Sequence, residues 1–392
     1  MRTMHPVMKR GGLYWDRALL PPAVFAGRMK LLREAVAGAG HDAWLLYGDA
    51  QRYGAVAWAS HFLPRTRGCA LLVVPDRDPT LLASVGARDV PAAKTLTAVE
   101  DVRPFSRFAD GAAALLRERG LESGRIGTAG FETRLGAIEN DALRSTLPRA
   151  RWEAIDDGLD ELRAERDVAS LDAIRRAAEV ADDGLATAAD LLRAGTTERR
   201  AEALLDRALR RGGAEDVRIL VASGPRAGKG LRPADDRGLV PGDIVLLHVS
   251  VELQRHWAEA AQTYSIGPAS DATWSLADIA GRAVGAMAAA ARVGAAGRAV
   301  ARAARSVLAS DELARSALAY GLGHAICLDP EERPLVADGE ERPIAEHEAL
   351  ALHVVLQVGG RGAIAGATVA AGERGASPFG TKRSSVIECA SL

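Results

Sequence analysis

The distribution of apolar, β-branched runs restricts the fold of this chain more than any other feature. Val217–Ala222, Asp243–Leu253, Gln262–Ile266 and Ala349–Val358 each read as a strand. Between and around them lie helical patterns over 168–194, after Gly195-Thr196-Thr197-Glu198, at 272–294 and near 296–309. The second part of the chain is therefore an α+β domain whose strands are spread along its whole length, without an internal repeat. Ahead of it, a helical pattern over 25–46 (Phe25, Met29, Leu32, Ala35) runs into the apolar Ala43–Tyr47. Strands at Cys69–Val74 and Pro79–Ala83 and helical stretches near 109–120 and 136–146 complete a smaller α/β domain. The charged stretch Asp156–Asp167 marks the boundary, giving expected domains 1–158 and 159–392.

Composition enters as a filter on partners. The chain has 392 residues, enough for two domains, and 50 Lys+Arg against 51 Asp+Glu leave a net charge of −1. That balance provides no field for nucleic acid or an anionic membrane. At 48% hydrophobic and 26% charged the chain is an ordinary globular protein. Three dispersed cysteines (Cys69, Cys327, Cys389) argue against a disulfide framework or zinc ribbon and fit a reducing compartment. The start of the chain has basic residues, including the region of His5, but no apolar signal region, and no window approaches about 18 uninterrupted apolar residues. A cytoplasmic location is expected.

Five segments carry a resemblance. They are Gly195-Thr196-Thr197-Glu198; Ala222-Ser223-Gly224-Pro225; Leu239-Val240-Pro241-Gly242-Asp243-Ile244-Val245-Leu246; Gly323-His324-Ala325-Ile326-Cys327-Leu328 with Glu332-Arg333-Pro334; and Ala351-Leu352-His353. In this order the chain resembles the creatinase / aminopeptidase P / methionine aminopeptidase superfamily, and its two-domain layout resembles the creatinase and prolidase branch. The resemblance implies a pita-bread C-terminal domain preceded by a smaller α/β N-terminal domain, and a homodimer.

Peptidases of this superfamily hold two metal ions with two Asp, one His and two Glu. The first Asp, five residues after the strand's Asp243, falls on His248, and the second, eleven further on, falls on Glu259. The family His is kept as His324, the first Glu falls on His353, and the last on Gly366 or Ala367, which have no donor atom. Three of the four replaced carboxylates have thus become competent ligands. One carboxylate and three neutral imidazoles suit one divalent ion, so His248, Glu259, His324 and His353 are expected to hold a single metal, Fe(II) first, with Mn(II), Zn(II) or Ni(II) as alternatives.

The family's carbonyl-stabilising His corresponds to Leu231, its second His to Glu331, and an Arg near the second Asp to Gln262. These losses argue against cleavage of Xaa-Pro peptides. Open positions on an ion with nitrogen donors suit O₂ together with a chelating substrate, so the leading expectation is a dioxygenase-type oxidation of a small polar molecule. Its specific form is ring cleavage of a hydroxylated aromatic or heteroaromatic. The alternative is a hydrolase or lyase of a C–N bond, with an ion or creatinase-like without one, in which Glu331 or Glu332 transfers protons. A non-catalytic binding scaffold is the third reading. His256, beside Trp257, is a candidate relay group, and Gln262, His61, Arg65 and Arg361 are candidate substrate contacts, against plain surface roles for each.

Overall fold

The computed structural model describes residues 13–380 and 384–391, so the basic start and His5 lie outside the described residues. The chain divides into two compact units, one ending at Arg163 and one spanning Ala164–Leu392. The first runs α1 (Pro22–Gly38), β1 (Ala43–Asp49), α2 (Gly54–Ser60), β2 (Gly68–Val73), β3 (Thr80–Ala83), α3 (Val90–Lys94), β4 (Asp101–Pro104), α4 (Phe108–Glu118), β5 (Arg125–Ala129), α5 (Ala137–Thr146), β6 (Arg151–Ala154) and α6 (Asp156–Ala164). Its sheet has the order β4-β3-β2-β1-β5-β6. Leu45, Leu72, Ala112, Leu116 and Phe131 meet in its core. The charged stretch after Ile155 folds as α6 because Leu159 and Arg163, one turn apart, share a buried face.

The second unit comprises α7 (Val168–Leu191), α8 (Glu198–Arg211), β7 (Asp216–Ser223), β8 (Ile244–Leu253), β9 (His256–Ile266), α9 (Asp271–Ala290), α10 (Gly297–Ala309), β10 (Gly323–Ala325), β11 (Glu332–Leu335), β12 (Ala349–Val358), β13 (Arg361–Ala370), β14 (Ser377–Pro378) and β15 (Val386–Cys389). Asp167, Thr197 and Ser270 cap α7, α8 and α9 by accepting from Ser170, Arg200 and Thr273 N–H. The sheet runs β11-β10-β12-β13-β9-β8-β7, with β14 on β13 and β15 on β9. Helix α7 packs on β8 and β9, and α9 packs on β12, β13 and α10. The even-numbered Leu350, Leu352, Val354 and Leu356 of β12 join α9 and α10 in one core, leaving the odd-numbered residues on the other face.

Two strands differ from the sequence reading. β9 begins at His256, six residues before Gln262, because its polar first half pairs with β8 from Leu253↔His256 onward. β13 is rich in Ala and Gly, poor strand formers, and is held extended by ten consecutive pairings with β12. The α/β unit followed by an α+β unit is the fold class read from the sequence. Among the described residues, no helix is long and apolar enough to cross a membrane.

The β8–β9 hairpin closes through Gln254 and Arg255, both in the left-handed region at φ 48° and 66°. A two-residue turn of this hand matches the strand twist but usually demands Asn or Gly. Here a buried ion pair holds it instead. Glu215 accepts from the Arg255 backbone N–H at 3.0 Å and from its Nη1 at 2.7 Å, with both side chains excluded from solvent. Glu215→Ala removes the charge partner of a buried guanidinium and is expected to cost about 3–5 kcal/mol, read as a lowered denaturation midpoint; a variant as stable as the wild type would show that the turn does not depend on the pair.

Candidate metal centre

Strand register alone brings the candidate ligands to one face of the second sheet. Residues two apart on a strand share a face, as do directly paired residues. In β8 and β9, Ser250 pairs with Glu259 and His248 with Ala261. Ala261 pairs with Gly366, Gly366 with His353, and Ala351, two before His353, with His324. His248, Ser250, Glu259, Gly366, His353 and His324 therefore project to the same side, away from the Leu352/Val354 core. His324 sits where the β10–β11 register shifts, a bulge of the kind that re-aims a side chain. Its neighbour Gly323 has φ 142°, and a Cβ there would lie 2.2 Å from the Ala351 carbonyl, so only glycine lets β10 approach β12 so closely.

Glu259, His324 and His353 each offer one ligand atom within 4.8 Å of the others. His248 stands outside that group, with Nε2 3.2 Å from Glu259 Oε2 and its ring 6.3 Å from that of His353. His324 Nδ1 lies 3.1 Å from the Ala325 carbonyl, which takes the ring proton and leaves Nε2, 3.8 Å from Glu259 Oε2, with its lone pair free. His353 Nδ1 is buried without a hydrogen-bond partner. Burial pushes the His353 pKa down to about 4, keeping the ring neutral. Burial pushes Glu259 up, but the adjoining His248, with His324 and His353 adding to it, outweighs that and holds it down at about 2. An ionised Glu259, a neutral His353 and a His324 ring that presents Nε2 make a donor set that fits a divalent cation.

Gly366 occupies the position facing both His353 and Ala261. A Cβ added there would meet each of their Cβ atoms at 3.1 Å, a tight fit, and glycine supplies no donor where a further carboxylate would stand. Ser250 and Thr368 were not singled out from the sequence. Ser250 Oγ donates to Glu259 Oε1 at 3.0 Å, and Thr368 Oγ1 accepts from the Glu259 N–H and donates to its carbonyl at 2.7 and 2.9 Å. Thr263 Oγ1 does the same for Ile364, so two threonine hydroxyls staple β9 to β13 beyond their short ladder. The two-residue step from His248 to Ser250 was the available signal.

Other candidates take different places. His256 is buried, with Nδ1 2.7 Å from the Gln254 carbonyl and Nε2 3.2 Å from Ser170 Oγ of α7; it ties helix to hairpin on the opposite face and is no relay group at this centre. Gln262 also faces away, its amide donating to the Thr263, Ser384 and Ser385 carbonyls, so it is structural and not a substrate contact. His61 closes α2 in the left-handed region, and its buried ring packs 5.2 Å from Trp15 and 5.3 Å from Phe25, which corrects its reading as a substrate contact. Arg65 is exposed in the first unit. Arg361 is exposed at the β12–β13 turn, five register steps from His353, about 17 Å along the strands. Glu331 is exposed before β11 and outside the ligand group.

Glu332 is not available for proton transfer. Its Oε2 accepts from Arg166 at 2.7 Å and its Oε1 from the Leu328 and Asp329 N–H groups. Glu348 shares this buried cluster, and burial pushes its pKa up to about 7 despite Arg166 and the Ala345 N–H. A carboxyl raised above its unfolded value contributes stability below the unfolded pKa and loses it as pH rises through the folded one. Wild-type stability is therefore expected to fall as pH rises from about 4.5 to about 7, and Glu348→Gln to flatten that fall; equal slopes in thermal melts of the two proteins would count against it.

Comparison with known proteins places both units. Residues 172–382 match the model for metallopeptidase family M24, and residues 28–164 match the creatinase/prolidase N-terminal domain. An X-Pro aminopeptidase structure from Thermotoga maritima MSB8 superposes with a TM-score of 0.83 at 22% identity, covering 92% of this chain and 99% of that one. The dipeptidase PepE of Mycobacterium ulcerans gives 0.80 at 24% identity over 96% and 99%, and the prolidase of Pyrococcus horikoshii OT3 gives 0.79 at 20% over 91% and 99%. No curated protein matches the sequence significantly. A family model for metallopeptidases and structures titled as peptidases overturn the expectation of a non-peptidase performing O₂-dependent oxidation, ring cleavage included. The physical reason is that a His/Glu ligand set identifies a divalent-cation site but does not encode redox chemistry, since Zn(II) and Mn(II) accept the same donors.

Proposed function

The chain belongs to metallopeptidase family M24, and from that membership we propose that it is a metal-dependent, peptidase-type hydrolase of a C–N bond in a small amide or short peptide. The observation that carries this reading is the convergence of Glu259, His324 and His353. These three would hold one divalent ion, and Gly366, packed against Ala261 and His353, supports a single ion over a pair. A bound ion there would supply Lewis acidity toward an amide carbonyl and a more acidic water.

The protein's own groups do the rest. Glu259 stays ionised as a ligand, and its Oε2 lies within hydrogen-bond distance of His248 Nε2. His248, beside the ligand group, is the side chain placed to take a proton from the attacking water and return it to the leaving amine. His324 is held in the tautomer that exposes Nε2 by the Ala325 carbonyl. The partly buried Leu231 packs on the apolar group formed by Ala222, Leu246, Ala261 and Val355, which gives this side of the sheet a dry wall.

Elemental analysis should find about one divalent ion per wild-type chain, lost in His353→Ala, and amide hydrolysis should fall roughly 100-fold or more in that variant. A panel of short peptides and small amides scored by amine release tests the chemistry. Metal-replete wild type that releases amine from none of them would overturn the hydrolase reading.

A further inference from the structure

The two oxygens of Glu259 have separate surroundings. Oε2 faces His248 and His324 at 3.2 and 3.8 Å, whereas Oε1 accepts the Ser250 hydroxyl at 3.0 Å. Ser250 is almost fully buried and is the direct cross-strand partner of Glu259, so the hydroxyl is presented by the sheet rather than by a loop. On the other side, Thr368 fixes the Glu259 backbone at both its N–H and its carbonyl. The side chain is consequently tied at one oxygen and at its root, with a single oxygen left to face the imidazoles.

We infer that Ser250 is a positioning residue that commits Glu259 to binding a cation through Oε2 alone. This rests on the metal centre proposed above and extends it to the kind of ion the centre takes. A carboxylate restricted to one oxygen, together with His324 and His353, gives three donors and leaves room for a water. That number suits an ion content with four nitrogen and oxygen ligands, such as Zn(II) or Co(II). It disfavours hard ions that gather six or more oxygens, because the second carboxylate oxygen is withheld. Without the hydroxyl, Oε1 is free to swing onto the ion, and the buried carboxylate loses a charge-assisted hydrogen bond.

The test uses the full chain, stripped of metal and titrated with Co(II), comparing wild type with Ser250→Ala and Ser250→Thr. Wild type is expected to show the intense visible bands of a four-coordinate ion. Ser250→Ala should bind Co(II) about 10–100-fold more weakly and with the weaker bands of higher coordination, and Ser250→Thr, which keeps the hydroxyl, should restore both. Thermal melts of the metal-free proteins identify any loss due to unfolding, and the spectrum reports coordination independently of affinity. An alanine variant with the wild-type affinity and spectrum overturns the role of Ser250 while leaving the centre standing. A wild-type protein that binds no Co(II) overturns the centre itself, and the role of Ser250 with it.

Discussion

The register of the β8–β9 hairpin is the constraint on which the rest of this centre depends. A slip of one residue would turn His248, Ser250, Glu259 and Ala261 to the helix-covered face together and bring Val249 and Ala260 to the site. The register is pinned at the turn, where two non-glycine residues adopt left-handed backbone against a buried Glu215–Arg255 pair. It is pinned again at the far strand, where Thr263 and Thr368 bond to backbone groups across the narrow seam between β9 and β13. These contacts lie outside the ligand set, yet they decide which atoms meet.

Charge balance gives the centre its character. A pair of metal ions needs several carboxylates, and here one carboxylate faces three imidazoles. The position where another acid would stand is a glycine packed between Ala261 and His353. Burial keeps His353 neutral, and the neighbouring histidines keep Glu259 ionised. The same residues at the surface would titrate near their ordinary values and offer no comparable preorganisation.

The alternation of apolar runs and helical patterns was enough to read an α/β unit followed by an α+β unit, whereas His248 and Glu259 were singled out only through the family resemblance, counted from Asp243. Less legible were strands whose local chemistry argues against them. β13 is made of Ala and Gly and becomes a strand because β12 lies beside it. Candidate contacts chosen by residue type fared worst. His256, Gln262 and Glu332 look reactive as letters, but each spends its polar atoms on Ser170, on the backbone near Ser384, or on Arg166. A sequence does not say which face of a strand a side chain takes until the pairing is known.

By itself the sequence determined the inventory: which residues can donate to a cation and which segments are helical or extended, with the family resemblance adding that histidines stand where carboxylates would. It did so because donor chemistry and periodicity are local properties. Only the tertiary structure decided that Glu259, His324 and His353 converge while His248 stands beside them, and that Ser250 holds one carboxylate oxygen. Those facts depend on pairings between strands up to about a hundred residues apart, as in Ala261↔Gly366, and no local signal carries that register.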